Sequence, residues 1–258
     1  MVVRLISPRL SGGVKEYVDG QLLEVSEFRP RRDPMYDYAP ELYWEAGRTA
    51  LQCVRAALRD ARAEPPRAVL DYACGYGRIM RWLRAAFPSA DLTACDLYET
   101  MVGFCQRQFG ATPVIANLDP AKVELGLYDL IWSGSLLSHI DRGDWPGFLD
   151  LFRRSLSPGG VAVFTTMGAK TVDDLRSREN TMRFTEEQLE QVLRDYDESG
   201  FGFWPTINAE WNHGDCVVSQ VWVDDQLARA GLVLVSYTET AWLGQDVIAV
   251  QPLANGTL

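Results

Sequence analysis

The sequence predicts an α/β fold, a mostly parallel sheet with helices on both faces that ends in an antiparallel hairpin. Three observations predict it. The stretch Val69-Leu70-Asp71-Tyr72-Ala73-Cys74-Gly75-Tyr76-Gly77-Arg78 is a short apolar run that ends in a carboxylate, crosses a small-residue loop and enters a helical pattern. Strand-like and helix-like periodicities then alternate up to residue 166, which implies parallel strands joined by right-handed crossovers. The second strand, residues 92–96, also ends in a carboxylate, Asp96.

Residues 1–45 read as an N-terminal cap or lid segment. Asp19-Gly20 suits a hairpin turn between two short strands, because both residues tolerate positive φ. Pro30 and Pro34 break regular structure, and the tyrosine-rich run that follows, with Tyr36, Tyr43 and Trp44, supplies candidate lid contacts. Ala50, Cys53, Val54, Ala57 and Leu58 fall at helical spacing before Pro65 and Pro66.

Beyond the glycine loop, Met101, Phe104, Cys105 and Phe109 form one helical face, with Gly110 as its stop. A third strand precedes Asn117, Leu118 and Asp119, and a fourth ends in Ser133-Gly134-Ser135. Asp144 stands where it caps a helix carrying Phe148, Leu149, Phe152 and Leu156, and Ser157-Pro158-Gly159-Gly160 turns that helix into a fifth strand at 161–166. Residues of about 167–216 interrupt the alternation as a substrate-side insertion. They contain a helix with the capping-box pair Thr185 and Gln188 and a Gly200 stop. A last helix stops at Gly231, and strand-like runs at 232–237 and 247–250 bring the sheet to seven strands, leaving residues 254–258 as a frayed end.

Bulk properties narrow the function. At 258 residues with 47% apolar and 23% charged content, the chain suits one large α/β domain, 46–258, plus the N-terminal segment. A net charge of −10 disfavours general nucleic-acid binding, which draws on phosphate neutralisation; Arg29, Arg31 and Arg32 form the one dense basic cluster and read as a solvated loop. Five cysteines without metal-ligand spacing read as reduced thiols and suggest a cytoplasmic location. The start carries no signal-peptide pattern, and no apolar run approaches the roughly 18 residues of a membrane span.

The glycine loop has its own chemistry. A dinucleotide loop needs Gly or Ala three residues after Gly77, where Met80 stands, and Asp71 at the loop mouth repels a diphosphate. A cofactor with a cationic amino-acid end and no phosphate fits better. Asp96 suits a pair of ribose hydroxyls, since a carboxylate accepts from both. Arg78, at a helix start where a cation is disfavoured by the dipole, suits a carboxylate.

Asp71, Gly75, Gly77, Asp96, the fourth-strand segment and the Ser-Pro-Gly-Gly turn stand together in the order of a known family, and the chain resembles a class I S-adenosylmethionine-dependent methyltransferase. The resemblance covers residues 46–166 well and the remainder loosely, with Ala73 in the place of the usual first glycine. Longer strings, such as the one that opens Asp129-Leu130-Ile131-Trp132-Ser133-Gly134-Ser135, resemble a bacterial subgroup of mostly unassigned substrates, often associated with surface-glycan genes. The resemblance implies a Rossmann-like seven-stranded sheet, S-adenosylmethionine as cofactor, S-adenosylhomocysteine as product and no metal. It places Asp71, Ala73, Cys74, Gly75, Gly77, Arg78, Asp96, Leu97, Asn117, Leu118, Ser133 and Gly134 at the cofactor.

Methyl transfer is an in-line displacement that asks the protein chiefly to align the acceptor and exclude water. A hydroxyl acceptor gains from a general base, and the chain has two histidines, His139 after the fourth strand and His213 in the insertion, with Asp215 as an orienting partner for His213. The expected acceptor is a hydroxyl or amino group of a small molecule or glycan. Ser-Gly-Ser-Leu at the fourth strand lacks the aromatic clamp of nucleic-acid amino methylation. The alternatives are a non-catalytic cofactor-binding partner protein and a nicotinamide-dependent oxidoreductase, the latter disfavoured by Met80 and Asp71.

Overall fold

Asp19 and Gly20 adopt φ of 49° and 81°, and this left-handed pair turns β1 (Gly13–Val18) antiparallel onto β2 (Gln21–Ser26). The computed structural model describes residues 13–205 and 213–253. The expectations for the extreme N-terminus, for Trp211 and Asn212 and for residues 254–258 lie outside the described residues. Val18, Leu23 and Val25 on the hairpin bury their side chains with Leu51 and Trp82. Asp33 caps α1 (Pro34–Tyr38) by accepting from the Met35 amide, and α2 (Pro40–Asp60) follows. The expected boundary at residue 45 thus falls inside α2, which starts at a proline suited to a first helical turn.

The main sheet begins with β3 (Ala68–Tyr72), α3 (Met80–Ala86), β4 (Asp91–Asp96), α4 (Glu99–Phe109) and β5 (Thr112–Ile115). It continues through β6 (Tyr128–Ser133), α5 (Trp145–Ser155) and β7 (Leu156–Thr166). The Ser-Pro-Gly-Gly segment expected as a free turn is absorbed into β7, with Gly159 at φ 79° and a register shift opposite Tyr128. Asp144 holds the N-cap position of α5 without a side-chain capping bond to the helix.

The insertion consists of α6 (Ala169–Ser177), α7 (Glu186–Ser199), β8 (Phe201–Pro205) and β9 (Gly214–Val218). The Thr185–Gln188 capping box and the left-handed Gly200 stop both form. Met167, Val172, Leu175, Leu189, Val192 and Val217 make its local core. The chain then runs through α8 (Gln220–Ala230) into β10 (Leu232–Trp242) and β11 (Gln245–Pro252).

The seven strands lie in the order β10-β11-β7-β6-β3-β4-β5. Pairs from β7 to β5 are parallel, while β11 runs antiparallel to both neighbours, so the last strand slots between β10 and β7. Alternate residues feed two cores. Val69 and Leu130 pack on the α2, α3 and α4 side with Val54 and Leu83, while Leu70 and Ile131 pack on the α5 and α8 side with Phe152 and Leu227. The parallel strands therefore all end at one edge, where their loops gather. Among the described residues no helix is long and apolar enough to cross a membrane.

Candidate active site

The loop after β3 is a run of left-handed backbone. Ala73, Gly75 and Gly77 adopt φ of 65°, 53° and 72°, and the amides of Ala73 and Cys74 both donate to the Cys95 carbonyl on β4. Gly77 is sterically required, since a Cβ there falls 2.4 Å from Phe109. A Cβ on Gly75 meets no protein atom within 4 Å, so that glycine answers to backbone conformation alone. Ala73 adopts a conformation that costs an L-residue roughly 1 kcal/mol.

Two carboxylates flank the loop. Asp96 Oδ2 accepts from the Gly75 amide at 2.8 Å and Oδ1 from the Tyr98 amide at 3.2 Å. Burial raises its pKa, and these backbone donors pull it back. Asp71 is 2% exposed, and its Oδ2 has no partner among the described residues. Burial, followed by the charge of Asp96, pushes Asp71 up to about 7, opposed by Arg78 and the Met80 amide. Burial lowers the pKa of Arg78, whose guanidinium lies over the Trp242 ring at 5.5 Å. Asp71, Asp33 and the Tyr43 hydroxyl favour its charge, yet no hydrogen bond or ion pair engages its guanidinium among the described residues.

A buried carboxylate with one oxygen left without a partner and a guanidinium that makes no hydrogen bond among the described residues, one at each end of the loop, are complementary to the ammonium and carboxylate of an α-amino acid. S-adenosylmethionine carries that group, so the residues present fit it. Among the described residues no cluster of His, Cys, Asp or Glu is arranged to hold a metal ion.

Beside the loop lies a cavity of about 760 Å³, within the usual range for small-molecule sites. Ala73, Asp96, Leu97, Asn117, Leu118 and His213 all line it, which brings together residues from the ends of β3, β4 and β5 and from the insertion. Asn117 Oδ1 accepts from the Asp119 amide at 2.9 Å, forming a local turn at the cavity edge. Ser133 is wholly buried with an unpartnered hydroxyl, and Gly134 lies where a Cβ falls 2.9 Å from Trp242. Cys74 contributes backbone only, because its thiol is buried 4.0 Å from the Cys105 sulfur on α4.

The aromatic segment read as a lid is placed differently. Tyr43 is 1% exposed, packs edge-on against Tyr36 and Trp44, donates to Asp33 at 2.8 Å and accepts from Arg81 at 3.0 Å. Its hydroxyl is spent inside the protein because Arg81, also 1% exposed, has to be satisfied there. Arg81 donates further to the carbonyls of Gly77, Ser26 and Phe28, which ties the N-terminal segment to the glycine loop.

The two histidines meet. His139 follows β6 and His213 pairs with Ile140 in an isolated antiparallel bridge, so their rings stack at 5.1 Å. Asp215 Oδ1 lies 2.9 Å from His139 Nδ1, the histidine other than the one it was expected to orient. The Gly214 carbonyl is 3.0 Å from the same nitrogen. Burial, then the charge of His139, lowers the pKa of His213.

Sequence reasoning missed Tyr98, Leu136, Ile140, Asp144 and Phe148 on the cavity wall. Phe148 and Asp144 had a signal, but it was the helical stripe and cap of α5, which points to packing rather than to a ligand. Arg81 and Asp33 gave no signal, since nothing local marks a charge destined for burial.

The strand order, the reversed β11 and the acid-flanked glycine loop define a class I methyltransferase fold. Residues 69–160 match the family described as "Methyltransferase domain", so over that stretch the chain is similar to a methyltransferase. Among named relatives, the malonyl-[acyl-carrier protein] O-methyltransferase of Laribacter hongkongensis is 32% identical over 137 residues, covering 48% of this chain and 46% of that protein. The enzyme of the same name from Methylococcus capsulatus is 30% identical over 145 residues, 55% and 50% of the two chains. The chain spans about half the length of these relatives. Among solved structures, an S-adenosylmethionine-dependent methyltransferase from Clostridium acetobutylicum aligns with a TM-score of 0.56 at 13% identity, covering 85% of this chain and 97% of that one. The 1,6-didemethyltoxoflavin-N1-methyltransferase of Burkholderia thailandensis aligns with a TM-score of 0.55 at 13% identity, over 93% and 99%. At these identities the structural likeness concerns the fold.

Proposed function

We propose that this protein moves a methyl group from S-adenosylmethionine to a hydroxyl or amino group of a small molecule or glycan. The observation that carries the reading is the pairing of Asp71, whose buried Oδ2 has no hydrogen-bond partner among the described residues, with the guanidinium of Arg78 at the glycine loop, beside the ribose-type carboxylate Asp96. In this reading Asp71 takes the ammonium, Arg78 the carboxylate and Asp96 the ribose hydroxyls. Leu97, Asn117 and Leu118 border the adenine, and backbone atoms of Ala73, Cys74, Gly75 and Gly77 lie along the methionine part. Bound S-adenosylmethionine supplies the activated methyl carbon and the leaving sulfur; the chain's residues hold the two partners in line and keep water out.

The named relatives act as O-methyltransferases on malonyl groups held by an acyl-carrier protein, which favours oxygen as the receiving atom here. The absence of a small residue at Met80 and the carboxylate at the loop mouth weigh against a nicotinamide dinucleotide. Calorimetric titration with S-adenosylmethionine, S-adenosylhomocysteine and NAD tests the reading. Saturable binding of the first two without NAD supports it, and binding of NAD alone, or of none of the three by folded protein, defeats it. The chain is proposed as a cytoplasmic protein.

A further inference from the structure

We propose that His213 is the proton acceptor for an uncharged, hydroxyl-bearing methyl acceptor, with His139, fixed in turn by Asp215, as the residue that positions it. This rests on the methyltransferase reading above and names its acceptor class. His213 lines the cavity that also holds Asp96 and Ala73. His139 stacks on it at 5.1 Å with the rings 18° from parallel, and His139 Nδ1 is 2.9 Å from Asp215 and 3.0 Å from the Gly214 carbonyl. Both of these neighbours are acceptors, so Nδ1 carries the proton and the ring cannot turn over without losing both. A fixed ring behind His213 holds its plane, and any charge on His139 opposes a second charge on His213.

The groups facing His213 are His139 from the turn after β6, Asp215 at the start of β9, and Asp96, Asp119, Asp144 and Tyr98 across the cavity. No lysine or arginine is among the described residues lining that cavity. The cavity therefore offers an acceptor carboxylate no cation among its described lining residues, and a carboxylate in any case has no proton for a base to remove. A hydroxyl does. In the step, the acceptor O–H proton passes to the imidazole, the oxygen pair forms the bond to the methyl carbon, and the carbon–sulfur pair leaves with sulfur. The imidazolium then returns its proton to water.

The chain contains only two histidines, so imidazole ¹H–¹⁵N spectra of the whole protein with S-adenosylhomocysteine resolve each of them. We expect His139 in the Nδ1–H form and His213 neutral at pH 7. His139→Asn should raise the His213 midpoint, since the charge of His139 lowers it, while Asp215→Asn should shift the His139 Nδ1 signal. Transfer of labelled methyl should favour a methyl glycoside or catechol over the matching uronic acid. Turnover of the best acceptor in His139→Asn should keep its KM and move its pH profile with the His213 midpoint. Two independently titrating imidazoles, an Nε2–H His139, or preferred transfer to the carboxylate would overturn the proposal while S-adenosylhomocysteine still bound. Loss of that binding in folded protein instead removes the methyltransferase reading itself.

Discussion

Asp96 Oδ2 accepts a hydrogen bond from the Gly75 amide at 2.8 Å, so the carboxylate ending β4 holds the loop that ends β3. The same group is positioned for ribose hydroxyls, and its removal acts twice. Asp96→Ala should weaken S-adenosylhomocysteine binding by about 1–3 kcal/mol through lost charge-assisted bonds, and should raise amide exchange at Gly75. Unchanged affinity in a folded variant would remove Asp96 from the ribose role.

Asp71 carries a pH signature. Its pKa is about 7 in the ligand-free fold and near 3.8 when unfolded, so the fold binds a proton that the unfolded chain releases. Stability from this group is complete below about pH 4 and is lost as the pH rises to about 7, on the order of 4 kcal/mol in all. Asp71→Asn should therefore gain stability over the parent at pH 8 and show little gain at pH 4, by urea titration. It should also lose affinity for the amino-acid end of the ligand. An equal difference at both pH values would contradict the buried, ionising carboxylate.

Ala73 sits at φ 65°, where a Cβ is strained and glycine is not. Ala73→Gly trades that strain against the greater freedom of the unfolded chain. The expected outcome is a change between zero and about +1 kcal/mol in unfolding free energy, with cofactor affinity kept or improved. A loss above about 1 kcal/mol would mean that the alanine methyl packs against something essential.

Arg81 is the buried tie between the N-terminal segment and the site. Arg81→Met leaves the carbonyls of Ser26 and Phe28 without the guanidinium donor, while Gly77 keeps the backbone amide of residue 81, and should cost about 3–5 kcal/mol, read from the urea midpoint. Proteolysis within residues 27–33 should accelerate in parallel. If stability falls while that segment stays protected, the tie is elsewhere.

Much of the site was legible because its signals are local. Gly75 and Gly77 reveal the loop through backbone conformation, Asp71 and Asp96 stand at the ends of apolar runs, and Gly110, Gly200 and Gly231 stop their helices in left-handed geometry. The Thr185–Gln188 box is likewise written within four residues. Partners far apart in the chain were not legible in this way. Asp215 was expected to orient His213 because the two are near in sequence, whereas packing of β9 against the turn after β6 sets it on His139, far away along the chain.

By itself the sequence determined the strand–helix alternation, the glycine loop, its flanking carboxylates and the helix ends, since these depend on periodicity and on the φ/ψ preferences of neighbouring residues. Tertiary structure alone decided that β11 enters between β10 and β7, that Tyr43 is consumed by Asp33 and Arg81, and that Trp242 donates to the Ala46 carbonyl across 196 positions. The reason is physical. A buried polar group must find a partner wherever the close-packed interior places one, and that choice is made by the whole fold rather than by neighbouring residues.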